Sequence, residues 1–122
     1  MDENRLAIFQ GKQIRQILQN GELWFSVIDI IQVLTEQAND LTARKYWNKL
    51  AERLRNEGSE VVTNCHRFKL RAVDGKMRET DCANTEGILR IIQSVPSPKA
   101  EPLKRWLAKV GYELPEKQKR IK

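Results

Sequence analysis

The chain has 122 residues, 40% hydrophobic and 31% charged, with a formal net charge of +6 and a pI near 9.5. These values exclude a disordered polymer and fit one domain able to bury roughly two thirds of its unfolded surface. No apolar run reaches the length of a membrane span, and the opening MDENRLAIF is no signal peptide. The expectation is a soluble cytoplasmic protein without a membrane partner.

The charge is unevenly placed. Residues 1–58 hold eight basic and eight acidic residues, leaving fourteen basic and eight acidic of the chain's 22 and 16 for residues 59–122. A basic half points to an anionic partner such as nucleic acid, or an acidic protein surface. Solubility alone is the plain alternative.

In chain order, Asn4–Phe9 and Lys12–Leu18 read as short strands broken at Gln10-Gly11. Asn20-Gly21 is a hairpin signal before Leu23, Trp24 and Phe25. A small antiparallel meander is expected. Ser26 then reads as a helix N-cap with Asp29 three residues on, and Ile28, Ile31 and Leu34 mark the buried stripe of a helix ending near Thr35. Glu36–Leu41 reads as a loop, and Thr42 as the cap of a helix running to about Glu57 and stopping at Gly58.

On that second helix Ala43, Tyr46, Trp47, Leu50, Ala51 and Leu54 follow the core face. Lys45, Lys49 and Arg53 lie at successive i, i+4 positions outside, a basic line that is either a binding face or a solvated one paired with Glu52 and Glu57. Two consecutive helices invite a helix-turn-helix reading, but the connector exceeds that motif's 3–4-residue turn.

The stretch CHRFKLRAVDGKMRETDC, Cys65 to Cys82, centres on Asp74-Gly75, a strong hairpin signal. With a two-residue turn, Val73 faces Lys76, Ala72 faces Met77, Arg71 faces Arg78 and Lys69 faces Thr80. Alternation then gathers Arg67, Lys69, Arg71, Lys76 and Arg78 on one face. Phe68, Leu70, Ala72 and Met77 share the other, with Glu79 and Asp81 near its open end. Five cations on one face repel one another, and an anionic ligand would relieve them.

Cys65 and Cys82, the only cysteines, fall out of register with one another in this pairing, so both read as reduced and structural. Cys65, His66 and Cys82 are too few for a zinc site, and no metal or cofactor is expected. After the hairpin, Asn84 or Thr85 caps a helix with Ile88, Leu89, Ile91 and Ile92 that ends before Pro96. Ser97-Pro98 opens the last helix, whose Leu103, Trp106, Leu107 and Val110 form a full stripe before Gly111. Trp47 and Trp106 read as core, and Trp24 as core or as a stacking surface. The fold class read from these elements is α+β, a small antiparallel sheet of hairpins with about four helices.

Residues Asn84 to Val110, NTEGILRIIQSVPSPKAEPLKRWLAKV, carry a Gly-hydrophobic-hydrophobic helix, a Ser/Pro-rich joint and a hydrophobic-Lys-Arg-Trp helix. Gly87, Ile88, Leu89, Ile92, Ser94, Ala100, Leu103, Lys104, Arg105 and Trp106 make up that pattern. Upstream, Trp24, Phe25, Asp29, Ile30 and Leu34 form a Trp-Phe opening with a following Asp, and Asp74-Gly75-Lys76 a hairpin. Together these resemble the N-terminal domain of the BRO family, found in baculoviral proteins, phage antirepressors and bacterial DNA-damage-inducible protein D. The resemblance covers about residues 4 to 112, and the ELPEKQKRIK ending departs from it. Residues 1–112 are thus taken as the domain and 113–122 as a basic tail or the start of a linker. The resemblance implies a nucleic-acid-binding α+β module in a prophage, viral or stress-response setting.

Three functions follow as expectations. The first is DNA or RNA binding through Arg67, Lys69, Arg71, Lys76 and Arg78, helped by Lys45, Lys49 and Arg53; a two-stranded ribbon fits the major groove. The second is a module that inactivates a repressor or recombination protein by binding it. An enzyme has least support, because one histidine and no glycine-rich phosphate loop leave no constellation to assign. Glu79 and Asp81 could act as a carboxylate pair, but the preferred reading pairs them with nearby Lys or Arg.

Overall fold

Turn geometry builds the sheet. The computed structural model describes the backbone of residues 3–121 and the side chains of residues 4–110. Strands β1 (Glu3–Phe9), β2 (Lys12–Gln19) and β3 (Glu22–Ser26) are joined by two-residue turns. Gln10 and Asn20 adopt positive φ of 48° and 54°, each followed by a glycine that does the same, as the twist-matched type I′ turn requires. Strands β4 (His66–Arg71) and β5 (Met77–Asn84) form a third hairpin, which docks on β3 through β5. The result is one five-stranded antiparallel sheet in the order β1-β2-β3-β5-β4, with four helices. The fold is α+β.

Helix α1 (Val27–Thr35) starts directly from β3. Ser26 Oγ accepts the Asp29 amide at 3.3 Å, the N-cap expected from the sequence. The three-residue stripe understates its burial: Val27, Ile28, Asp29, Ile30, Ile31, Val33 and Leu34 are all buried, as suits a helix enclosed between the sheet and other helices. Helix α2 (Asp40–Asn56) packs on α1. Its cap is Asn39, not Thr42: Asn39 Oδ1 accepts the Thr42 amide at 3.0 Å, so the helix begins three residues earlier than the sequence suggested.

Helix α3 (Thr85–Ser94) is capped by Asn84, whose Oδ1 accepts the Gly87 amide at 3.0 Å. A Cβ at Gly87 would stand 3.0 Å from Ala83 Cβ, so glycine lets α3 sit close against the strand that leads into it. Across the joint, Ser97 Oγ donates to the Leu34 carbonyl at 2.6 Å and accepts the Lys99 amide at 3.0 Å, tying the end of α1 to the start of α4 (Ala100–Ile121). The α4 backbone runs through Gly111, where the sequence placed a stop. The side chains of the basic tail lie outside the described residues.

The main core lies between one sheet face and the helices, with Phe25, Ile30, Ile31, Trp47, Ile88, Ile91, Leu103 and Leu107 at its centre. Trp106 is half-buried beside it. Its ring meets Phe9 and Phe25 edge-on and its Nε1–H donates to the Ile8 carbonyl at 2.9 Å. A second, smaller cluster of Ile17, Trp24, Leu70 and Cys82, edged by Phe68, lies on the other sheet face.

Because β3 ends at Ser26, β2 loses its neighbour at Arg15. Asp29, in the first turn of α1, takes that place. Its Oδ2 accepts both the Arg15 amide at 2.9 Å and Nε at 2.8 Å, and its Oδ1 accepts Nη2 at 2.9 Å. Arg15 Nη1 reaches on to the Arg71 carbonyl at 3.1 Å, fastening the β4–β5 hairpin to β2. Burial opposes the Arg15 charge, but the Asp29 hydrogen bonds and charge outweigh it and hold the guanidinium above its ordinary value.

Asp29 is 7% and Arg15 18% exposed, so Asp29→Ala strands a largely buried guanidinium and should cost about 3 kcal/mol in urea unfolding; a loss below about 1 kcal/mol would refute this role. An Arg15→Met/Asp29→Leu double variant should recover much of the loss. Burial pushes the Cys65 and Cys82 thiols up to about 12. At pH 8 the folded protein should therefore resist alkylation that proceeds rapidly in denaturant. Since the unfolded thiols ionise near 9 while the folded ones hold their protons, stability should fall as pH rises from about 9 towards 12. Rapid labelling of the folded chain would overturn the assignment.

Candidate nucleic-acid interface

The β4–β5 ribbon turns through three residues, Val73, Asp74 and Gly75. The Gly75 amide donates to the Ala72 carbonyl at 2.9 Å and the Ala72 amide to the Lys76 carbonyl at 2.8 Å, with Gly75 at φ +88°. This is a type I turn followed by a left-handed residue, a common hairpin closure that the sequence reading passed over for the two-residue form. Asp74 Oδ1 accepts the Lys76 amide at 3.0 Å, Arg78 Nη2 donates to Asp74 Oδ2 at 2.5 Å, and Arg71 Nη1 donates to the Gly75 carbonyl at 3.1 Å. The Arg78 hydrogen bond, aided by the Lys76 amide, holds the Asp74 carboxyl below the ordinary range.

One extra turn residue shifts the pairing by one. The observed partners are Arg71 with Met77, Leu70 with Arg78, Lys69 with Glu79, Arg67 with Asp81 and His66 with Cys82. Such a slip moves every β5 side chain to the opposite face. The expected face of five cations is therefore corrected. Arg67, Lys69 and Arg71 share their side with Met77, Glu79 and Asp81, while Arg78 shares the other with Phe68, Leu70, Thr80 and Cys82, and Lys76 lies across from Ala72. Arg71 and Arg78 do not oppose each other.

Charge is consequently balanced towards the ribbon's base and unbalanced towards its end. Arg67 Nε lies 3.1 Å from Asp81 Oδ1, and Asp81 Oδ2 accepts Trp47 Nε1–H at 2.9 Å, joining ribbon to α2. From Lys69 to Arg78 the ribbon end carries Lys69, Arg71, Lys76 and Arg78 against the carboxylates of Asp74 in the turn and Glu79 beside it. All four cations are exposed, on both faces of the ribbon.

The α2 line is not brought to this ribbon. Trp47 points at Asp81, and helical spacing sets Lys45 and Lys49 on the side of α2 away from Trp47. Arg53 turns to the end of α3, donating to the Ser94 carbonyl at 3.3 Å, and lies 4.0 Å from Glu57. The exposed α2 cation near the ribbon's base is Arg55, which acts electrostatically on Cys65 beside β4. Its position one turn beyond buried Ala51 is the signal that could have singled it out.

Trp24 is core, 7% exposed beneath His66 (ring centroids 4.5 Å apart, stacked) and Phe68 (5.6 Å), so it is no open stacking surface. A groove of about 670 Å³ lies between the β1–β2 hairpin, α1 and the ribbon end, lined in part by Lys12, Arg15, Asp29, Asp40, Arg71 and Val73. The Arg15 donors at its floor are already taken by Asp29 and the Arg71 carbonyl. Among the described residues no cluster of three His, Cys, Asp or Glu could hold a metal, and no helix is long and apolar enough to cross a membrane.

The model of the BRO family, N-terminal domain, matches residues 13–114. No curated protein and no solved structure matches the chain. The residues behind the earlier resemblance now have structural work: Asp29 holds Arg15, Gly87 admits α3 against β5, and Trp106 braces β1. With the match spanning most of its length and these contacts in place, the chain belongs to the BRO family, whose N-terminal domain it carries.

Proposed function

We propose that this domain is a binding module rather than an enzyme, and that it binds nucleic acid, with DNA the first candidate, through the end of the β4–β5 ribbon. Membership of the BRO family supports nucleic-acid binding in general. The observation that carries the finer reading is the cation arrangement. Lys69, Arg71, Lys76 and Arg78 surround the ribbon end on both faces. A ribbon entering a groove has a phosphate backbone on each side, so cations on both faces suit it better than the single face read from the sequence. The setting this suggests is a prophage antirepressor or a DNA-damage-response protein.

A protein partner is the second reading, favoured by Leu6 and Ile8. Each is 54% exposed, and they sit two residues apart on one face of the edge strand β1. In this reading the domain inactivates a repressor or recombination protein by binding it. A partner retained on the immobilised domain after nuclease digestion would support it; loss on digestion would support nucleic acid.

If the four cations each meet a phosphate, affinity for a duplex oligonucleotide should fall about two orders of magnitude between ~50 and ~200 mM salt. Lys69→Ala/Lys76→Ala should lower the log–log salt slope by about 2, measured by fluorescence anisotropy. Lys45→Ala/Lys49→Ala should leave the slope in place. A slope that moves with the helix pair and not with the ribbon pair would transfer the contact surface to α2.

A further inference from the structure

Val73 is 92% exposed in the turn at the end of the ribbon, on the rim of the groove beside the β1–β2 hairpin. A single apolar side chain on a surface is ordinary. Three features set this one apart. It occupies the first central position of a type I turn, where the turn accepts most residues and does not call for valine. It is flanked within five residues by Arg71, Lys76 and Arg78, side chains that repel a second basic surface and attract a polyanion. Finally, its turn is braced by more hydrogen bonds than closing a hairpin requires. Asp74 holds the Lys76 amide and the Arg78 guanidinium, Arg71 holds the Gly75 carbonyl, and Arg15 holds Arg71 to the body of the domain. Asp74, the one carboxylate in the turn, has its charge matched by Arg78.

The geometry points to Val73 as a wedge that enters duplex DNA between adjacent base pairs from the minor groove and kinks it. This rests on the nucleic-acid reading above, replaces the major groove expected from the sequence with entry of the turn alone into the minor groove, and adds what happens to the duplex. Apolar side chains delivered into the minor groove unstack a base step and bend the duplex, provided that cations beside them hold the phosphates. A braced tip has little conformational freedom left to lose when it inserts. Flexible pyrimidine–purine steps unstack most readily and are the expected points of entry. Exposed Met77, 47% accessible on the Arg71 side of the ribbon, would lie along the groove wall.

The test uses the full chain and a duplex of about 30 base pairs with a central TA step, labelled at both ends for energy transfer and carrying 2-aminopurine at that step. The wild-type complex should bend the duplex by an angle in the range of about 20–90° and raise the 2-aminopurine fluorescence. Val73→Ala should lose both signals in whatever complex it forms, with the salt slope kept because no cation is removed. Val73→Ile should keep both. Because Val73 is almost wholly solvent-exposed, these variants fold as the wild type does. A wild-type complex that leaves the duplex straight and stacked, or a Val73→Ala complex that bends it equally, overturns the wedge while nucleic-acid binding stands. Absence of binding at low salt overturns the nucleic-acid reading and the wedge with it.

Discussion

The pairing of Arg15 with Asp29 holds together three parts of the molecule, β2, the start of α1 and the β4–β5 hairpin, at the point where β3 no longer bridges them. Strand β3 leaves the sheet at Ser26 to become α1, and the gap this opens lies between β2 and the β4–β5 hairpin. The Asp29 carboxylate fills the gap on the β2 side, taking a main-chain amide and two guanidinium nitrogens. The remaining guanidinium nitrogen takes the Arg71 carbonyl at the far side. A carboxylate from a helix's first turn is well placed for this, because the helix start favours negative charge there. The ribbon that carries the candidate interface is thereby aimed by a group placed fifty-six residues earlier in the chain.

Much of this fold was legible in the sequence, and the reasons differ by element. Asn20-Gly21, the Ser26 cap and the stripes of the last two helices are local signals, and the structure keeps them, choosing Asn84 over Thr85 as the cap of α3. The ribbon register departs from the sequence expectation for a local reason as well. Asp-Gly serves both as the centre of a two-residue turn and as the last two residues of a three-residue one, and nothing near it distinguishes the two. One residue of difference was enough to exchange the companions of every β5 side chain. Thr42 reads as the cap of α2 because it stands nearer the apolar stripe, but its amide is what Asn39 binds.

The candidate site was less legible. Lys45 and Lys49 stand out by their regular spacing, but spacing on one helix does not say which side meets the sheet. Only the Trp47 to Asp81 hydrogen bond does that, and it spans thirty-four residues. Arg15 gave no signal at all, since its partners are a helix start and a strand carbonyl that the sequence cannot place beside it. The cations of β4 also admit a plain structural use. β4 is an edge strand, and Arg67, Lys69 and Arg71 along it discourage pairing with another chain. That use and nucleic-acid contact are compatible, because a charge that repels a neighbouring protein strand attracts a phosphate.

The opposite edge is guarded by other means. In a two-residue hairpin closed by Phe9 and Lys12, the polar groups of Ile8 point away from β2, and Trp106 from α4 occupies the Ile8 carbonyl. A foreign strand adding to β1 would find its hydrogen-bond ladder interrupted there and would have to stop short of the hairpin end. The indole thus acts as a terminator of lateral growth, and one sheet edge with two exposed aliphatic side chains can stay discrete without a charged residue at the point of closure.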